Sequence, residues 1–208
     1  MVAGMNADME PKLAPPGAGL PGLELFIARL LFAWRRWTGN RDSFNARFQR
    51  ERETIRVLVR SCDADSGAER VLIPRPRGME DSSRYWSVWM TLDHLRIIHG
   101  GIARTISALA KGVKPPGTAS TAAVKPSPQA TASVVAEYEQ SCDALLAAVA
   151  AAGNLKTSVR YAHPWFGPLD AAGWHALAAG HLGIHRVQIE RILKGLPVTR
   201  KSAAVQNT

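Results

Sequence analysis

Residues 171–194 read AAGWHALAAGHLGIHRVQIERILK. Small and apolar side chains recur at three- and four-residue intervals with no proline, so the stretch is one long helix. His181 and His185 stand four residues apart and therefore project from one face, one turn above the other. Trp174, Leu177, Ala178, Gln188 and Ile192 share that stripe, which turns the pair inward. Two imidazoles one turn apart on a buried face are a common metal-ligand arrangement. Asp170 supplies the N-cap of this helix, and Gly195 with Pro197 closes it.

A second long helix is expected over Ser83–Lys111, apolar on most sides and so deeply buried. His94 lies in its middle, with Met90, Ile97 and Gly101 on the same face. Asp93 points about 100° away from His94 and is a poorer ligand candidate. Gly112–Ser127 is rich in Pro, Thr and Ala and is longer than a helical hairpin needs, so it suits a crossover running the length of a bundle. Ser127 followed by Pro128 reads as the start of a third helix reaching about Ala152, with Val134, Tyr138, Leu145 and Val149 inward. A further helix is expected at Ser43–Cys62, capped by Asp42 or Ser43, with Phe44, Phe48, Ile55 and Leu58 on its apolar face. Asp63–Arg84 is read as a loop with an extended piece at Val71–Ile73, because Pro74, Pro76 and Gly78 forbid a long helix.

Outside these helices, residues 1–22 carry four prolines and read as a flexible arm. Residues 23–40 contain an amphipathic helix, Leu23–Trp37, with Leu23, Phe26, Ile27, Leu30, Trp34 and Trp37 on one stripe. It is too short and too charged to span a membrane; docking on the domain or on a second subunit is the expected use, and a homodimer is one outcome. Residues 197–208 read as a disordered tail. The 208 residues carry 26 Lys and Arg against 17 Asp and Glu, a net charge of +9. The basic residues are scattered and match no recognition motif, so a nucleic-acid partner is not expected; a nucleic-acid- or membrane-surface-associated factor that uses this charge and the Leu23–Trp37 helix is the weakest of the readings. The two cysteines are far apart and no apolar leader is visible, which together read as a reduced, cytoplasmic protein.

Three histidines in the interiors of two buried helices, His94, His181 and His185, can converge as a facial ligand set with open positions for water or substrate. Gln188, one turn past His185, can orient a ligand or a substrate. Position 182 is Leu, where a zinc protease of the His-Glu-x-x-His type has its glutamate, so that class is excluded. His163 on the loop before the last helix can roof a pocket as a general acid or base, or simply be solvated. Trp165 and Phe166 line the pocket mouth or anchor the loop. Tyr138 and Glu139 are possible partners of the ligands, while His99 faces elsewhere and His175 neighbours the ligand face without clearly sharing it. No phosphate loop, paired-carboxylate signature or serine elbow is present.

The segment HPWFGPLDAAGWHALAAGHLGIHRVQIERIL, His163–Leu193, resembles the last helix of the DinB-like (YfiT-like) superfamily. The likeness rests on Phe166-Gly167-Pro168-Leu169, Trp174, the pair His181 and His185, Gln188 and Ile189. Tyr85–Leu95, YWSVWMTLDHL, resembles the family's second bundle helix, with His94 as its single histidine ligand. The resemblance spans about Arg41–Gly195. It implies an all-α, up-down-down-up four-helix bundle over 41–196 and a three-histidine divalent metal site holding zinc, nickel or iron. It also implies a metal-dependent hydrolase or thiol-dependent transferase acting on a small molecule, or a non-catalytic bundle that binds a small molecule or protein.

Overall fold

The computed structural model describes residues 10–197, so the expected tail and the first nine residues of the arm lie outside the described residues, Pro197 excepted. Along the described chain come α1 (Gly22–Thr38), α2 (Arg41–Arg60), the short α3 (Ala64–Ala68), β1 (Val71–Leu72), β2 (Tyr85–Trp86), α4 (Val88–Ala110), α5 (Val134–Ala151), β3 (Tyr161–His163), β4 (Gly167–Leu169) and α6 (Ala171–Gly195). β1 pairs antiparallel with β2, and β3 with β4.

Bonds between helices give the directions of the bundle formed by α2, α4, α5 and α6. Arg96 of α4 pairs with Glu137 of α5 at 3.2 Å, and one turn on His99 meets Ser141 at 3.3 Å; the numbers rise together, so the two helices are parallel. Arg52 of α2 reaches Asp143 of α5 at 2.6 Å while Arg56 reaches back to Glu139 at 2.6 Å, so these two are antiparallel. Phe44 abuts His175 with ring centroids 5.7 Å apart, and Glu51 binds Arg186 at 2.6 Å, so α2 runs parallel to α6. The order is therefore up-down-down-up. Parallel neighbours cannot be joined by a tight turn, and residues 111–133 provide the crossover. The backbone N–H of Ser127 donates to Asp93 at 2.8 Å, which shows that the chain has returned to the start of α4 before α5 begins.

Phe48, Ile55, Leu92, Leu95, Ile106, Leu145, Leu182 and Ile189 are fully buried where these helices meet, each burial being worth about 1.5–3 kcal/mol. α3 docks through a close approach: a Cβ on Gly67 would sit 2.1 Å from the Trp89 indole, whose Nε1 donates to the Ala64 carbonyl at 3.1 Å. Gly67→Ala is expected to destabilise the fold by about 1–3 kcal/mol through overpacking. Urea unfolding checks this: the midpoint falls while the slope stays unchanged.

Several helix starts differ from the sequence reading. α4 begins at Val88, not Ser83, because Ser87 caps it by accepting the Met90 N–H at 3.1 Å, while Tyr85–Trp86 pairs with Val71–Leu72. α5 begins at Val134, not at Pro128: the Ser127 hydroxyl accepts the Gln129 N–H at 3.2 Å in a local turn, and its backbone N–H is already taken by Asp93. α2 is capped by Asn40 rather than by Asp42 or Ser43, in a reciprocal capping box in which each of Asn40 and Ser43 accepts the other's N–H at 2.9 Å.

The N-terminal segment also departs from expectation. Residues 10–21, read as part of a free arm, lie along the body: the Ala14 N–H donates to Asp81 at 2.9 Å, and Leu20 is buried. α1 docks by its polar side. Its Arg29 donates to the Trp165 carbonyl at 2.7 Å, Arg36 pairs with Asp170 at 3.0 Å, and Glu24 pairs with Arg75 and accepts the Gly78 N–H at 2.7 Å. The apolar stripe picked out by periodicity faces away from the bundle, with Leu23 74% and Trp37 84% exposed.

Candidate metal centre

α4 and α6 bring His94, His181 and His185 together at their contact, as their sequence positions require. His181 Nε2 stands 3.3 Å from His94 Nε2 and 3.2 Å from His185 Nε2. His94 and His185 are buried, and His181 is half-buried where it borders a cavity.

Their tautomers follow from the partners on the far side of each ring. His94 Nδ1 lies 2.6 Å from the Val124 carbonyl, which only accepts, so Nδ1 carries the proton and Nε2 is a bare lone pair. His185 Nδ1 lies 2.6 Å from Gln188 Oε1. The Gln188 amide is oriented by its own Nε2, which donates to the Ser83 carbonyl at 2.7 Å, so His185 Nε2 is bare as well. His181 Nδ1 is buried without a hydrogen-bond partner among the described residues. Two bare nitrogens thus face a third at 3.2–3.3 Å. Metal–nitrogen bonds of about 2.0–2.1 Å in a tetrahedral site set their donors about 3.3 Å apart, so the spacing and the donor chemistry both fit a divalent ion. Burial holds all three rings neutral: it pushes His94 down to about 4 even though Val124 favours its protonated form, and it keeps His181 and His185 well below the usual histidine range.

A cavity of about 320 Å³ opens in front of the cluster. Ile97, Ile102, Leu177 and Trp165 form apolar walls, and Thr105 and His163 add polar groups. The Trp86 indole backs the histidine cluster, lying 8° from parallel to the His185 ring at 6.2 Å. At one corner Lys125 sits 3.0 Å from Glu80, which also accepts from Thr121 at 2.8 Å. Burial opposes ionisation of Glu80, but these partners outweigh it and lower its pKa.

The β3–β4 hairpin places His163 at the cavity, stacked on Phe166 with centroids 5.1 Å apart. Its Nδ1 accepts the Trp165 backbone N–H at 3.1 Å, so the neutral ring carries its proton on Nε2. Phe166 also packs on Phe32 of α1, at 4.4 Å, and anchors the hairpin. Other candidates lie apart. Asp93 binds Arg96 and the Ser127 N–H. Glu139 belongs to Arg52 and Arg56 on the far side of the bundle, and Tyr138 is buried in the core near His99. His99 contacts Ser141 and Cys142, and His175 packs edge-on against Phe44. Sequence reasoning missed Trp86, the Val124 carbonyl and the Ser83 carbonyl. Backbone acceptors leave no residue-type signal, and Trp86 sits in a stretch whose spacing reads as helix.

The comparisons agree with this architecture. The solved crystal structure of TT2238, described as a four-helix bundle protein, is similar with a TM-score of 0.52 and 21% identity, over 72% of this chain and 97% of that one. No curated protein matches the chain. The sequence profile of the DinB superfamily matches residues 33–189, which takes in all four bundle helices (the last as far as Ile189) and all three clustered histidines: the chain belongs to the DinB superfamily.

Proposed function

We propose that this chain is a metal-dependent enzyme in which His94, His181 and His185 hold a divalent ion, zinc, nickel or iron, next to a largely apolar substrate pocket. The observation that carries the reading is the inward-facing trio of Nε2 atoms, with two of its tautomers set by Val124 and Gln188. Such an ion, when bound, lowers the pKa of a coordinated water or thiol or polarises a carbonyl, which is the chemistry of a hydrolase or a thiol-dependent transferase.

The chain's own residues do the positioning. Gln188 and the Val124 carbonyl keep the rings of His185 and His94 from turning. Ile97, Ile102 and Leu177 exclude water from a small apolar substrate. His163, read from sequence as a possible acid or base, offers a bound substrate the N–H of its Nε2, because its other nitrogen is occupied by Trp165. Its role is that of a hydrogen-bond donor. Both cysteines are unpaired, which supports a reducing, cytoplasmic setting, and none of the described helices is long and apolar enough to cross a membrane.

Elemental mass spectrometry of the purified, tag-free protein tests the reading. About one equivalent of a divalent metal is expected, and none in the His94→Ala/His185→Ala double variant; the loaded protein then enters hydrolase and thiol-transferase screens beside the stripped one. Absence of metal from the native chain, before and after reconstitution, would leave the histidines as parts of a binding bundle.

A further inference from the structure

Seven of the ten large apolar side chains that are exposed among the described residues lie on α1. Isolated exposed apolar residues are ordinary, and Val57, Leu72 and Val113 are of that kind, but a continuous stripe is not. Leu23, Ile27, Leu30, Trp34 and Trp37 follow one another at intervals of four, three, four and three residues. That alternation is the seam by which one helix packs on another. Most of α1 also lies outside the family match, which begins at residue 33.

We propose that the outward stripe of α1 is the contact between two copies of this chain, α1 packing antiparallel on α1 of the second copy across a two-fold axis. Three features single out this occupant. The stripe presents on the order of 800 Å² of apolar surface, about what each partner contributes to a standard stable interface. Three of the four charges of α1 do not border it in the way that an acidic lipid surface requires, because Arg29, Arg36 and Glu24 are turned back onto Trp165, Asp170 and Arg75, and the fourth, Arg35, is exposed but lines a cavity shared with Arg47 of α2. Finally, the stripe tapers: Leu23 and Ile27 stand at one end, and Trp34 and Trp37 at the other. Antiparallel pairing sets the large end of each helix against the small end of its mate, with Leu30 near the axis, whereas parallel pairing would crowd four indoles together. The inference does not depend on the metal reading, although α1 holds the Trp165 carbonyl through Arg29, so the dimer contact lies one helix away from the pocket mouth.

Sedimentation of the full chain between 1 and 100 µM tests the proposal. The expected mass is twice 22.5 kDa. Leu30→Glu and Trp34→Glu, both at solvent-facing positions, should weaken association at least 100-fold while circular dichroism and metal content stay unchanged. Orientation is read separately, in a Cys62→Ser background: Leu30→Cys should form an intermolecular disulfide under mild oxidation, and Trp37→Cys should not. A native chain that is monomeric at 100 µM overturns the proposal, whether or not it binds acidic phospholipid vesicles. So does a dimer that survives both glutamate substitutions, and efficient crosslinking through Trp37→Cys overturns the antiparallel arrangement.

Discussion

Zinc or nickel added to the metal-stripped protein is expected to raise its thermal unfolding temperature by about 10 °C, and His185→Ala to abolish the rise. A ligand that binds only the folded state at a thousand times its dissociation constant stabilises it by about 4 kcal/mol, and in a domain of this size each kcal/mol moves the midpoint by about 2–4 °C. Removing His185 deletes one of three donors and leaves Gln188 Oε1 facing an empty space. Gln188→Leu gives a graded result. It keeps all three ligands but releases the His185 ring and strips the Ser83 carbonyl of its donor. Loss of such a partner typically weakens metal affinity 10- to 100-fold, so about a third to two-thirds of the thermal rise should survive. Melting curves at matched free metal separate the three proteins. An equal rise in native and His185→Ala protein would place the responsible ion elsewhere.

The stripped protein is also expected to unfold on acidification, with a midpoint at about pH 3.5–4.5 by circular dichroism. His99 and His175 are wholly buried, and His163 is half-buried. Burial lowers them from 6.5 to about 3, about 4 and about 4. Their neutral forms are the folded ones, so the unfolded chain binds more protons once the pH falls below 6.5. The stability they contribute is fully present above 6.5 and is lost as the pH falls toward 4. Each costs about 1.4 kcal/mol per pH unit in that window, and a fold of about 5–15 kcal/mol is exhausted after two or three units. His175 offers the control. Neither of its ring nitrogens has a hydrogen-bond partner among the described residues, and the ring packs edge-on against Phe44. His175→Phe is therefore expected to fold and to move the acid midpoint downward. An unmoved midpoint would show that His175 is protonated, or reached by water, in the folded state.

Much of this was legible because periodicity reports burial. The spacing of His181 and His185 on α6, and the position of His94 on an apolar α4, bring three donors to one helix contact wherever the exact ends fall. The proline-rich length of 112–127 implied a crossover, and the parallel pairing of α4 with α5 requires one. Ends were harder to read, since Ser127 and Ser87 both carry a capping hydroxyl and only tertiary bonds decide which one caps. What covers the stripe of α1 stays open in the sequence for a related reason. A hydrophobic stripe marks the face a helix seeks to cover but not what covers it, and here Arg29 and Arg36 tie the opposite face to the bundle. The Val124 and Ser83 carbonyls lay beyond sequence reasoning altogether, because every residue has a carbonyl and only the fold aims one.

The ring of His94 takes its orientation from residue 124, in the middle of the crossover, and the ring of His185 takes its own through Gln188 from residue 83. Three segments separated by dozens of residues must therefore be in place before the nitrogens converge. A chain with α4 and α6 paired but residues 83 and 124 not yet in place is expected to hold an ion poorly, because the rings then lack the bonds that orient them. An ion held there, as proposed, would act as a clasp between α6 and the crossover, whose residue 124 orients one of the three rings.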